Sequence, residues 1–457
     1  MAGMADIQVF ALSSEEKAAE DIYSIAELAE DADGVLVIGS PGSAEFWENF
    51  YVELERVGAR WPRIRFIDEK RDTSLSSLSL EDLIELWGEY LEEASKYVLH
   101  VTVDVGRELS RRDLVKRGLS LALRYTPLVD VDTKTCGYLR HCSLCLPACP
   151  YSALKGKPPE AIREKCVGCG ACTSSCPSGL LYQPAVPPTA VRLLIEKAAE
   201  KGLRKIIAAC SRSRGAAYEK SGDRALIFEV PCIASFRLHE YLYAKLKGVS
   251  IEFLCAREDC DKRLAARQHL ELISEAEEVL GGPLRALEAT RHTLPLLASS
   301  FELKVAETKL RLLPLFSIRV DSEKCSLCGA CASACPTKAV KYLEDAESVS
   351  LLFTSSLCLG CSTCARVCPE AAITLEKKAA AETLAGRYST LVRSDVARCR
   401  VCGAPIGPLT KIKALEKRLR EKRAPERAVD GLYLCSKCKA DSLVREITQQ
   451  ITKKEIL

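Results

Sequence analysis

Asparagine is nearly missing from this chain: its 457 residues hold one, Asn49, with five glutamines and two methionines, against 65 lysines and arginines and 62 aspartates and glutamates. A shortage of thermolabile side chains beside abundant charge is the composition of a protein built to work hot. Long apolar runs are missing too. No stretch approaches the roughly eighteen uninterrupted apolar residues of a bilayer-spanning helix, and the amino end lacks a basic segment leading into an apolar one. Neither membrane insertion nor a secretory leader is expected. A net charge of +3 gives no case for wholesale nucleic-acid binding. The five histidines, at 100, 141, 239, 269 and 292, show no zincin pairing. There is no serine elbow and no G-x-G-x-x-G fingerprint, so no organic-substrate site is expected. His239 and His269 fall on predicted helices and read as surface residues.

Cysteine, by contrast, is plentiful: 24 residues in groups of eight, four, eight and four. Short C-x2-C clusters in a long chain with no leader argue for metals in a reducing compartment rather than disulfides, so a cytoplasmic address is expected. The first octet is Cys136, Cys142, Cys145, Cys149, Cys166, Cys169, Cys172 and Cys176. The second is Cys325, Cys328, Cys331, Cys335, Cys358, Cys361, Cys364 and Cys368. Both are double C-x2-C-x2-C-x3-C-P runs, in which three thiolates hold one [4Fe–4S] cube and the fourth reaches across to the partner cube. That rule predicts four cubes: Cys136, Cys142, Cys145 with Cys176; Cys149 with Cys166, Cys169, Cys172; Cys325, Cys328, Cys331 with Cys368; and Cys335 with Cys358, Cys361, Cys364. Zinc also takes four cysteines, but zinc knuckles use isolated pairs. One spacing departs, since five residues separate Cys136 from Cys142. A longer loop can close, and His141 inside it is an alternative ligand.

The expected class is multidomain α/β plus α+β, with open parallel α/β layers, two ferredoxin-like cluster domains and a small zinc ribbon. Residues 1–105 alternate strands (Ile7 to Leu12, Gly34 to Ser40, Arg63 to Asp68, Tyr97 to Val103) with helical periodicity and contain no cysteine. The loop Gly39-Ser40-Pro41-Gly42-Ser43 reads as a strand-to-helix turn more readily than a phosphate cradle. A helical linker, basic from Arg111 to Arg124, is expected over 106–132. Within it Ser110-Arg111-Arg112-Asp113-Leu114-Val115-Lys116 looks like an export motif, but it lies deep in the chain and Arg124 breaks the apolar stretch behind it. The cluster domains are expected at 133–183 and 317–377, with Pro184 to Pro188 a linker and a helical connector at 284–316. Between them 189–283 reads as a second α/β layer, its strands (Lys205 to Cys210, Ala225 to Cys232, Val249 to Cys255) each ending on a cysteine.

If those strands are parallel, Cys210, Cys232 and Cys255 emerge at one sheet edge, where α/β proteins build sites, and Cys260 completes a tetrad. The plain alternative is four small core residues. A four-sulfur metal site is favoured, with a [2Fe–2S] cluster preferred to zinc and with Arg212, Arg214, Arg237 and Arg257 to offset its charge. Cys399-Arg400-Val401-Cys402 and Cys435-Ser436-Lys437-Cys438, about thirty residues apart, have zinc-ribbon spacing within 395–457, rubredoxin-type iron being the alternative. Between them Lys411 to Arg427 reads as a basic, solvated helix.

Ala209-Cys210-Ser211-Arg212, Val230-Pro231-Cys232 and Leu254-Cys255-Ala256-Arg257-Glu258-Asp259-Cys260 resemble the delta subunit of methyl-viologen-reducing hydrogenase, which carries a [2Fe–2S] cluster between hydrogenase and heterodisulfide reductase. Ser211 and Ser213 stand where that family has a second cysteine. The octets resemble bacterial two-cluster ferredoxins. Together these predict a cytoplasmic electron-transfer subunit in a hetero-oligomeric redox complex, linked to a hydrogenase, a heterodisulfide reductase or a formate dehydrogenase, with four [4Fe–4S] clusters, one [2Fe–2S] cluster and one zinc. Its expected partners are redox subunits acting as electron donor and acceptor, and nucleic acid is not expected among them. The alternatives are a reductase acting at the Cys210 tetrad, and an iron–sulfur sensor meeting nucleic acid through the ribbon.

Overall fold

The computed structural model describes residues 5–12, 18–40, 46, 49–50, 54, 63–97, 101–103, 123–125, 128–139, 141–220, 224–256, 258–283, 293–304 and 306–455. Outside them lie Ser110 to Lys116, most of the expected basic helix, Pro41 to Ser43, Arg140, Arg257 and the start of the connector. The chain forms two compact bodies: Met1–Tyr138, Ser143–Lys304 and Arg311–Pro314 in one, and Leu139–Cys142, Val305–Leu310 and Leu315–Leu457 in the other.

The first body opens with β1 (Ile7–Ala11), α1 (Ala18–Asp31), β2 (Gly34–Gly39) and β3 (Ile64–Asp68), a parallel sheet in sequence order. β2 is nearly all apolar and takes the central place, while β3 at the edge is buried along its length although it carries Arg65 and Asp68. The strand expected at Tyr97 to Val103 is not part of this sheet. Val101–Val103 instead pairs antiparallel with Leu123–Tyr125, which was expected as helix. So short a stretch of alternating apolar and polar residues fits either period.

Asp68 caps α2 (Glu69–Ser76), its carboxylate accepting from the Arg71 amide at 3.0 Å. A reciprocal Ser79/Asp82 capping box starts α3 (Leu80–Ser95), whose buried face is Leu83, Leu86, Trp87, Tyr90 and Leu91. Each such side chain removed from water contributes about 1.5–3 kcal/mol.

The second layer begins with α4 (Pro188–Glu200), entered through a proline at its first turn. The strands β4 (Lys205–Ala209) and β5 (Ala225–Glu229), the helix α5 (Leu238–Leu246), β6 (Ser250–Leu254) and α6 (Arg263–Val279) follow. The strands are parallel in the order β5-β4-β6, with Ala209 opposite both Glu229 and Leu254. Pro184 to Pro187 are buried, and Gln183 donates to the Gly168 carbonyl (3.1 Å), so the expected linker is a packed connection.

A buried interface crosses the boundary expected between the two layers. Lys201 pairs with Asp82 and Glu85 (both 2.7 Å) and Lys197 with Glu89 (3.1 Å), each worth about 0–1 kcal/mol at a surface. Inside, Trp87 stacks on Phe228 (6.0 Å), and the Arg65 guanidinium sits 4.7 Å from the Tyr90 ring and 5.1 Å from Phe228. Arg65 donates to the Glu229 carbonyl and to Tyr90 Oη, both at 2.9 Å. Arg214 donates to Glu229 Oε1, Asp72 Oδ2 and Tyr218 Oη, each at 2.8 Å, and Tyr218 donates to Asp72 Oδ1 at 2.7 Å. The amino-terminal layer thus shares an interior with the cysteine-bearing one.

The expected helical connector is mixed. Helix Leu294–Ala298 is followed by Phe301–Leu303, which pairs antiparallel with Leu280–Pro283.

In the second body, β7 (Phe316–Val320), β8 (Val340–Glu344), β9 (Ser348–Phe353), β10 (Ile373–Ala380), β11 (Ser389–Arg398) and β12 (Pro405–Pro408) precede α7 (Leu409–Glu421) and α8 (Ser436–Glu455). β10 pairs antiparallel with β7 and with Glu307–Lys309, while β8-β9-β11-β12 form a four-stranded antiparallel sheet. β11 therefore runs from the cluster region into the first knuckle without a linker. The helix expected over Lys411 to Arg427 is two, α7 and the short Glu426–Asp430.

The two octets share one frame. In the first, Asp130–Val131 pairs antiparallel with Leu181–Tyr182 around an inner hairpin of Leu154–Lys155 and Glu160–Ala161. In the second, β7 pairs with β10 around the hairpin β8-β9. An outer strand pair closing on an inner hairpin brings the two half-motifs face to face.

Candidate metal centres

In the second octet, Cys325, Cys328 and Cys331 line one pocket together with Cys368, the last cysteine of the other half-motif. Leu327, Leu351 and Ile373 wall it. Burial and the neighbouring Cys325 and Cys364 push the Cys331 thiol up to about 12. Cys358 is raised to about 12 by burial, with Cys364, Cys361 and Cys335 as its sulfur neighbours. Cys364, raised to about 11, feels Cys361 and Cys335. The half-motifs are thus interleaved. Burial raises Cys325, Cys331, Cys358 and Cys364, so these thiols hold their protons unless a cation stabilises the thiolates, which is the environment an iron cluster fits.

Tight loops make this crowding possible. Gly360 has φ +63, and a Cβ there would lie 2.4 Å from the Phe316 ring, so the Cys358–Cys361 turn requires glycine. Leu327 (φ 51) and Ser362 (φ 60) take the left-handed conformation without glycine, a strain of order 1–3 kcal/mol that no residue type at these positions announces. The loops also supply sulfur contacts. Ala153 and Ala372 amides donate to Cys149 Sγ (3.3 Å) and Cys368 Sγ (3.4 Å), and Ser178 Oγ lies 3.2 Å from Cys176 Sγ.

In the first octet, Cys149, Cys166, Cys169 and Cys172 are neighbours: burial, with the adjoining sulfurs, raises Cys166, takes Cys169 to about 11 and pushes Cys172 well up. Cys145 and Cys176 pack with Cys172 around Val129 and Leu181. Cys136 sits in the helix Thr133–Tyr138, its sulfur accepting from Lys157 Nζ at 3.4 Å. Cys142 is held by its own amide, which donates to the Leu139 carbonyl at 2.8 Å.

Cys210, Cys232 and Cys255 follow the carboxyl ends of β4, β5 and β6, the parallel edge expected for them. Ser213 ties two of these ends: its Oγ lies 3.3 Å from Cys210 Sγ and accepts from the Ala256 amide at 3.1 Å. The serine standing in for a cysteine of the resembling family thus links the Cys210 and Cys255 loops. Burial raises Cys232 to about 12, and Cys210 is among its neighbours. Cys260 lies further along, its thiol facing Asp261 Oδ1 at 3.6 Å.

Two of the arginines expected to balance charge there are otherwise engaged. Arg214 is bound to Asp72 and Glu229, and Arg237 pairs with Glu240 (2.7 and 2.6 Å) while donating to the Gly179 carbonyl at 2.9 Å. His239 and His269 are not surface residues. Both are buried core side chains, which pushes each down to about 3. His269 meets Phe253 edge-on at 4.8 Å, an apolar use of the ring that helical position alone does not reveal.

Cys399, Cys402, Cys435 and Cys438 close more tightly than any of these, with all four sulfurs within 4.8 Å of one another and Cys402 and Cys435 3.6 Å apart. Among the described residues it is the one cysteine set drawn in for a single ion, where tetrahedral Zn–S bonds of about 2.3 Å need S–S separations near 3.8 Å. Amide N–H groups of Cys435 and Cys402 pull the Cys399 thiol down to about 6, favouring the thiolate.

The family model of the 4Fe-4S dicluster domain matches residues 318–375, which hold the whole second octet. That of the 4Fe-4S binding domain matches 159–182, the second half of the first octet. No curated protein matches the chain. The chain is therefore an iron–sulfur protein with ferredoxin-type 4Fe-4S binding regions, and among its described residues no helix is long and apolar enough to cross a membrane.

Proposed function

We propose that the chain is a multi-cluster electron-transfer subunit of a larger redox complex. It holds four [4Fe–4S] clusters in the crosswise sets of the two octets, a [2Fe–2S] cluster at Cys210, Cys232, Cys255 and Cys260, and zinc at Cys399, Cys402, Cys435 and Cys438. The shared pocket of Cys325, Cys328, Cys331 and Cys368 carries the reading, because three-plus-one sharing is the signature of two-cube motifs. The parallel edge that collects Cys210, Cys232 and Cys255 supports the fifth site, and the resemblance of its loops to a hydrogenase delta subunit favours redox subunits as partners.

When bound, each cluster supplies a one-electron acceptor. The chain's own residues set how readily it accepts. Amides of Ala153 and Ala372 donate to cysteine sulfur and favour the reduced, more negative state, while Leu327, Leu351 and Ile373 present an apolar wall to the pocket.

Anaerobic titration with dithionite tests the proposal. The loaded chain is expected to take up about five electrons, one per iron cluster, with EPR signals of both cluster types. Uptake of one electron or none contradicts it.

A further inference from the structure

The second half of the first octet and the Cys210/Cys232 edge meet backbone to backbone. Gly170, between Cys169 and Cys172, has φ +76, and a Cβ on it would lie 2.6 Å from Ser235 Cα and 3.2 Å from Ser235 N. Ser235 belongs to the turn after Cys232 and donates its hydroxyl to the Cys232 carbonyl at 2.6 Å. Two residues past Cys172, Ser174 Oγ accepts from the Leu238 amide at 3.0 Å, pinning the same two segments again.

A third segment closes the seam. Tyr151, two residues after Cys149, donates its hydroxyl to the Asp261 carbonyl at 2.8 Å. The next residue, Lys262, extends its ammonium to the Pro231 carbonyl at 3.4 Å, one residue before Cys232. Lys262 thus belongs to both sides of the seam: its backbone follows the carbonyl that Tyr151 of the octet binds, and its ammonium holds the carbonyl beside Cys232. A cation held at a seam between two anionic groups stabilises the extra negative charge of either one.

We propose that Lys262 is a positioning residue joining the Cys149/Cys166/Cys169/Cys172 set and the Cys210/Cys232 site into one redox unit, in which a single electron passes between neighbours whose potentials this ammonium sets together. No atom or proton moves: one site is oxidised by one electron as the other is reduced, and an external reductant supplies the electron. The proposal rests on the reading that both cysteine sets hold iron.

EPR-monitored potentiometric titration of the full, iron-loaded chain tests it. Lys262→Gln is expected to lower the midpoint potentials of both signals together at unchanged iron content, and Lys262→Arg to restore them. In the unaltered chain the two reduced signals are expected to broaden each other by spin–spin interaction. A shift in one signal or neither, or two unbroadened signals, overturns the proposal while leaving the cluster reading intact. Zinc in place of iron at the Cys210 site overturns that reading, and the proposal with it.

Discussion

Replacing Cys368 with alanine is expected to abolish the cluster of Cys325, Cys328 and Cys331, not that of its sequence neighbours Cys358, Cys361 and Cys364. The pocket is the reason, since Cys368 lines it with the first three cysteines of the octet. Cys358 and Cys364 instead have Cys335 as their neighbour from the other half-motif. The variant should lose about four irons per chain and one EPR component. Cys325→Ala should lose the same component, and the double variant no more than either single one, because residues of one site are not additive. Cys364→Ala should remove a different component. A Cys325→Ala/Cys368→Ala protein short of about eight irons would mean that each half-motif keeps its own cube.

The second large effect lies away from the sulfurs. Arg214 is the cation between Asp72 of the amino-terminal layer and Glu229 at the end of β5, and all three are buried. Arg214→Leu leaves two carboxyls in the interior without it, and breaking such a network costs about 3–5 kcal/mol. Burial drives both carboxyls upward, so in the variant they fold most favourably when protonated. A group whose folded pKa is raised favours folding below its unfolded pKa and loses that contribution as pH rises. The deficit should therefore be small near pH 4–5 and grow toward pH 7. Thermal unfolding of the variant and its parent at both pH values checks this, and equal midpoints at pH 7 would contradict it. Asp72→Leu in the same background should recover part of the loss, since it removes one stranded charge.

How much of this was legible in the sequence depended on whether the signal was local. The octets can be read because cluster loops are short and their spacing is set by bond geometry, and the parallel edge because each expected strand runs into a cysteine. The role of the amino-terminal layer was hidden, since Arg65, Asp72, Glu229 and Arg214 are charged residues that composition assigns to the surface. Only a fold that stacks Trp87 on Phe228 brings them inside. The burial of His239 and His269 is hidden for the same reason, because an amphipathic helix does not reveal what covers its second face. The proline run looked like a linker because proline marks both flexible boundaries and packed corners, and what decides here is the Gln183 bond to Gly168. Ser213 carried a readable signal, a polar residue in place of an expected cysteine, but its bridge to Ala256 depends on the β4-β6 register.

Iron, acid-labile sulfide and zinc measured together on the anaerobically purified chain test the central claim most directly. The account predicts about eighteen irons, a matching count of sulfide and one zinc per chain. About eight irons or fewer with several zincs would contradict it and make the cysteines a zinc-bearing scaffold.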